Sequence, residues 1–225
     1  IPPGHPERDL AHGIENSSGP LGQGHAYAAG AAIAEKFLEA RLGHTMMQHK
    51  IYAYISDGGV QEGISSEVGR LAGNLGLNNL IMFYDANDIQ LSTECGAVMC
   101  EDTAMKYQAW GWNVIKIDGN DPEAIRAALI AANKEELRPT LIIGETIMGK
   151  GALQADGSSY EHNIKTHGAP LGGEAYTNTI KNLGGDLNDP FKIFPEVQKL
   201  YDDRNAELRQ IVAERHATED AWKKQ

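Results

Sequence analysis

The chain has 225 residues, 41% of them hydrophobic and 23% charged, which suits one large globular domain or two small ones around a buried core. A formal net charge of −11 with no basic stripe argues against a nucleic-acid surface, and no stretch approaches the ~20 apolar residues of a membrane span. An anionic ligand must therefore be held locally, by a metal, by helix ends or by a few placed histidines.

The chain opens at Ile1-Pro2-Pro3 with neither an initiator Met nor a secretory signal, so a piece of a longer, cytoplasmic polypeptide is expected. Residues 23–42 are Ala-rich, with Ala26, Ala29, Ile33, Phe37 and Ala40 at helical spacing and Gly43 as the stop. Residues 51–55 form a short β-prone run. Residues 60–75 read as one helix whose small residues, Gly63, Gly69, Ala72 and Gly73, permit close packing on a sheet or on another subunit. LIMFY at 80–84 is a near-continuous apolar strand, as a parallel sheet covered on both faces requires. A helix over 103–110, a strand over 113–117 and a helix from the Asp121-Pro122 cap to about residue 133 follow. TLIIGE at 140–145 gives a fourth strand. Residues 146–172 form a long Gly-rich loop, of the kind that is usually functional or disordered. A charged amphipathic helix over 194–225 reads as a solvated strut or a lead into a further domain, so the domain division is 1–193 and 194–225. Strands alternating with helices predict an α/β fold with a doubly wound, mostly parallel sheet. Cys95 and Cys100 are too few for a disulfide framework or a zinc site and read as reduced thiols.

Two polar knots end consecutive strands: YAYISDGGVQEG at 52–63 and YDAND at 84–88. In an open parallel sheet ligands sit beyond the carboxyl ends of the strands, so Asp57 and Asn87 are placed to converge. A carboxylate and an amide oxygen suit a hard cation such as Mg²⁺, which fills its octahedron with phosphate oxygens and water. Gly58 and Gly59 leave room for a phosphate beside the following helix. The same pattern is also common turn chemistry, and neither a dinucleotide fingerprint nor a phosphate-binding loop signature occurs.

Taken together, GHPE (4–7), SSGPLGQG (17–24), SDGGVQEGISSEV (56–68), FYDANDI (83–89) and HGAPLG (167–172) resemble the transketolase family, in the diphosphate-binding part of its N-terminal domain. The resemblance implies thiamine diphosphate with Mg²⁺ or Ca²⁺, and transfer of a two-carbon ketol unit between sugar phosphates in the pentose phosphate pathway. It implies that Asp57 and Asn87 bind the metal through side-chain oxygens and Ile89 through its carbonyl. Gly58 then lies against the diphosphate, and Gly19 and Leu21 approach the cofactor rings. Glu62 falls at the subunit interface, while His5 and His167 reach the substrate, His167 also lying near the diphosphate. The family's homodimer brings a pyrimidine-binding domain from the neighbouring subunit, and no segment here resembles that domain, so the chain alone is expected to be inactive. His12, His25, His44, His49, His162 and His216 read as solvated, with His162 placed as a displaced family histidine. Departures from the family pattern are Ser56 in place of glycine, Asp88 after the Asn, Lys150 in place of an aromatic, and a longer loop over 152–166. Dihydroxyacetone synthase, another thiamine enzyme such as 1-deoxyxylulose 5-phosphate synthase, and a non-catalytic binding or assembly module are the alternatives.

Overall fold

A computed structural model describes residues 4–224; Ile1-Pro2-Pro3, where the sequence suggested an excised start, and Gln225 lie outside the described residues. Four parallel strands form the sheet: β1 (Ile51–Ser56), β2 (Leu80–Ala86), β3 (Asn113–Asp118) and β4 (Thr140–Glu145), in the order β1-β2-β4-β3. Each begins where the apolar pattern placed it, because a strand covered on both faces needs a short continuous apolar run.

Alternation along the strands sorts side chains between two cores. Leu80, Met82 and Tyr84 of β2 and Leu141 and Ile143 of β4 pack against α1 (Gln23–Leu42), α3 (Gly63–Asn74) and α4 (Thr103–Ala109). Ile81, Phe83 and Ile142 point the other way, onto Ala128 and Ala132 of α5 (Pro122–Asn133). Helices on both faces make the sheet doubly wound, as expected. The second face is less covered at the β1 edge, where Tyr54 is 86% exposed and Tyr52 donates from its hydroxyl to Asn133 Oδ1 at 2.8 Å.

The helix expected over 60–75 is two helices, α2 (Asp57–Gln61) and α3, broken at Glu62, whose backbone is extended (φ −66°, ψ 138°). Of the small residues on α3, Gly69 and Gly73 pack within the chain, whereas Gly63 faces open space. A methyl group on Gly69 would meet the Trp110 ring at 2.8 Å, and one on Gly73 would meet the Trp110 carbonyl oxygen at 1.8 Å. The Trp112 indole N–H donates to the Gly69 carbonyl at 2.7 Å, and Tyr107 packs tilted on Trp110 and edge-on to Trp112.

The face assigned to α1 is turned. Ile33 and Phe37 are exposed, and the buried side is His25, Ala28, Ala29, Ala32 and Glu35. Alanines let α1 lie close to β1 and α3, while its larger apolar residues remain outside.

The 146–172 loop is organised. Its 153–159 bridge is held by α6 (Gly173–Asn182), an element the apolar pattern did not reveal. Asn178 Nδ2 donates to the carbonyls of Gln154 and Ala155 at 3.1 and 3.2 Å, and Asn182 Nδ2 to Gly151 at 2.9 Å. The final helix, α7 (Pro195–Trp222), buries no residue, yet Arg215 ties it to the body by donating to the Met46 carbonyl at 2.9 Å.

Gly73→Ala tests the α3–Trp110 seam. In an exposed helix this change would gain about 1 kcal/mol, but here the clash is with backbone and overpacking costs about 1–3 kcal/mol. The expected outcome is net destabilisation, read as a lower urea midpoint.

Candidate functional site

Asp57 follows β1 directly and Asn87 follows β2, so adjacent parallel strands carry both to the same end of the sheet. The side chain of Asp57 is buried, at 2% exposure. Its Oδ1 accepts the Tyr84 hydroxyl at 2.6 Å, and its Oδ2 accepts the backbone N–H groups of Asn87 and Asp88 at 3.0 and 3.1 Å. One carboxylate thus clamps the turn that presents Asn87. Asp88 takes the left-handed backbone this turn requires, at φ 64°.

Asn87 Oδ1 accepts the Ile89 N–H at 3.0 Å, and its Nδ2 donates to Asp85 Oδ2 at 3.3 Å. Ile89 is buried, and its carbonyl receives no hydrogen bond among the described residues. Thr146 at the end of β4 donates to Asp85, extending the polar cluster across a third strand.

None of the ion pairs among the described residues involves Asp57. Buried charges are normally paired or bound to metal, so the missing counter-charge is an observation in favour of a cation here. No group of three His, Cys, Asp or Glu side chains forms a metal site among the described residues. The donor set here is instead one carboxylate, one amide oxygen and one free carbonyl. A carboxylate offers about four acceptor sites and an amide oxygen two, so capacity remains on both after their hydrogen bonds. All-oxygen donors in small number fit Mg²⁺ or Ca²⁺.

The remaining candidates divide between near and far. Leu21 Cδ1 would lie 3.2 Å from a methyl on Gly58, so the 19–22 segment leans directly on the β1 turn. Gly19 (φ 136°) packs under the His5 ring, where any larger residue would meet His5 Cγ at 3.0 Å. Glu62 is exposed, with its Cβ close to Gly22. His167 is exposed after the short 3₁₀ turn Ile164–Thr166, and no hydrogen bond among the described residues joins it to Asp57, Asn87 or Gly58.

His25 corrects an expectation: it is buried at 4% exposure, not solvated, and its Nδ1 has no partner among the described residues. It lines a recess of about 330 Å³ with Gly19, Leu21, Ser56 and Gly59, and burial lowers its pKa to about 4. His12, His44, His49 and His216 have side chains 53–79% exposed, and His162 is exposed as well. Tyr84 and Cys95 are further site residues that spacing did not mark, although Tyr84 opens the YDAND knot. Burial, then the hydrogen bond and charge of Asp57, push the Tyr84 phenol well above its usual range. Burial, then the nearby Asp57 charge, push the Cys95 thiol up to about 12.

The family model described as the transketolase thiamine diphosphate binding domain matches residues 1–225. Transketolase 2 of Xanthobacter flavus is 41% identical over 208 residues, covering 91% of this chain and 29% of that protein. Transketolase 1 of Escherichia coli is 41% identical over 224 residues, covering 98% of this chain and 32% of that protein. Among solved structures, transketolase from Leishmania mexicana superposes with a TM-score of 0.86 at 34% identity, over 97% of this chain and 32% of that one. The chain thus spans less than a third of the length of these relatives. Their shared name does not favour dihydroxyacetone synthase or a non-catalytic module.

Thiol titration checks the environment of Asp57. At neutral pH the exposed Cys100 should react with Ellman's reagent while buried Cys95 stays silent, and both should react in denaturant. Rapid native reaction of two thiols would contradict this packing.

Proposed function

We propose, from the premise that this chain belongs to the transketolase family as its N-terminal thiamine diphosphate-binding domain, that it holds the metal and diphosphate end of that cofactor in a transketolase. The buried carboxylate of Asp57, without an ion-pair partner among the described residues and locked to the turn bearing Asn87, is the observation that supports this most directly.

Thiamine diphosphate, when bound, supplies the electron sink that lets a two-carbon ketol unit leave a ketose phosphate and pass to an aldose phosphate. This chain's residues bind and orient. Asp57, Asn87 and the Ile89 carbonyl would hold Mg²⁺ or Ca²⁺, neutralising the diphosphate charge. Gly58 lets phosphate oxygens approach the backbone. Gly19 and Leu21 border the cofactor rings, and the packing of Gly19 against His5 brings that imidazole to the same edge as a donor for sugar hydroxyls. His167 would reach substrate from the 146–172 loop, and Glu62 would face the neighbouring subunit.

The reading extends to a homodimeric, cytoplasmic parent in the pentose phosphate pathway, whose pyrimidine-binding domain closes the site from the partner subunit. Residues 1–193 would then be the cofactor-binding unit, with 194–225 leading towards the next domain. No described helix is long and apolar enough to cross a membrane.

Two measurements test this. Asp57→Ala should weaken Mg²⁺-dependent binding of thiamine diphosphate on the order of a hundredfold, followed by calorimetry. With xylulose 5-phosphate and ribose 5-phosphate, the intact protein should turn over and this 225-residue chain alone should not. Turnover by the isolated chain would refute the half-site reading.

A further inference from the structure

Two polar side chains that form no hydrogen bond among the described residues meet beside Gly59, His25 from the buried face of its helix and Ser56 from an exposed position. His25, on the buried face of α1, aims its imidazole edge at this glycine: a methyl group there would lie 3.4 Å from His25 Nε2 and 3.7 Å from Cε1. Ser56 Oγ is also 3.4 Å from that point, and it does not cap α2 although it occupies the capping position. Both line the recess that runs from the 19–22 segment to Asp85.

The chemistry of this pair is that of a donor site. A neutral imidazole carries one N–H, and burial keeps His25 neutral at physiological pH. His25 Nδ1 is sealed from solvent with no acceptor among the described residues, so a proton there bonds to nothing. A proton on Nε2 points into the recess, beside the Ser56 hydroxyl. Nδ1 stays without a partner in either tautomer, so what the ring offers an anion in the recess is the Nε2–H alone. No lysine or arginine lines this recess, so the interaction is by hydrogen bonds from neutral groups, supplementing the charge neutralisation expected at Asp57.

Resting on the function proposed above, we propose that His25 Nε2–H and Ser56 Oγ–H form a second clamp on the cofactor's diphosphate, gripping oxygens that the metal does not hold. His25 and Ser56 are thus binding residues for the anionic end. Neither role follows from the diphosphate motif itself, which needs only the aspartate, the amide and the glycines.

Calorimetric titration of the intact protein with Mg²⁺ and inorganic pyrophosphate isolates this end of the ligand. His25→Leu, close in volume but without a donor, should weaken pyrophosphate binding about tenfold, and Ser56→Gly about fivefold. Replacing His25 by Asn, which keeps an N–H, should recover part of the loss. Binding of thiamine itself, without phosphates, should be unchanged in all three. In the wild type, long-range ¹H–¹⁵N spectra should show the Nε2–H tautomer of His25 and a shift of that signal on adding pyrophosphate. This readout stands even if a substitution perturbs folding. Wild-type affinity in His25→Leu together with loss in Asp57→Ala would overturn the clamp and leave the metal site standing. Equal pyrophosphate binding by wild type and Asp57→Ala, or none by wild type, would overturn the site reading and the clamp with it.

Discussion

A single buried carboxylate organises this end of the molecule. Asp57 emerges from β1 at 2% exposure and spends three hydrogen bonds on the neighbouring strand, one from Tyr84 and two from the backbone after β2. Bonds from neutral donors to an ionised group are roughly twice as strong as neutral pairs, which makes the 84–89 turn rigid relative to the sheet. Solvation of the charge nevertheless remains incomplete, because no basic side chain among the described residues forms an ion pair with it. Dipoles alone stabilise a buried anion less than a cation does, so the fold holds a local electrostatic deficit where the ends of β1 and β2 converge.

The sheet makes that convergence inevitable. β1 and β2 pair in parallel with Ser56 opposite Asp85, so the residues just beyond each strand necessarily fall side by side. Parallel pairing in turn depends on the crossover through α2 and α3, and α3 can lie close enough only because Gly69 and Gly73 admit the Trp110 segment. A chain of close packing therefore runs from the tryptophan seam to the position of Asp57. Substitutions far from any ligand would be felt at the site through this route.

Much of this was legible in the residues. The strands could be read because burial on both faces leaves a continuous apolar signature, and the Asp121-Pro122 start of α5 because Asp121 Oδ1 does accept the Glu123 N–H, at 2.9 Å. The polar knots were legible because strand ends in such sheets are where ligands lie. Other features had no local signature. The break at Glu62 is a matter of extended backbone at one residue inside an otherwise helix-compatible run. α6 is stabilised by polar side chains reaching the 151–155 backbone, not by an apolar stripe. On α1 the larger apolar residues drew attention to the wrong face. His25, Ala29 and Ala32 share a helical side at spacings of four and three, and only the close approach of α1 to the sheet shows that this side is buried.

The distribution of exposure across the site has a physical consequence for how affinity and reactivity are divided. Around the proposed metal and diphosphate, Asp57, Tyr84, Ile89 and His25 are buried within this chain, while Gly58 and Asn87 are half-buried and Ser56 is exposed. Groups on the outer side are open: Leu21 is 52% exposed, and His5, Glu62 and His167 all face solvent. Preorganised donors cost little further ordering on binding, whereas exposed side chains must still be immobilised and desolvated by whatever covers them. On the proposed function, this chain would therefore contribute the part of binding energy that comes from charge, and the covering domain the part that comes from enclosing the rings and excluding water. An anchor that is complete on one side and a reaction surface that is open on the other let the two halves be tuned separately, since substitutions that alter the exposed wall leave the hydrogen bonds to Asp57 untouched.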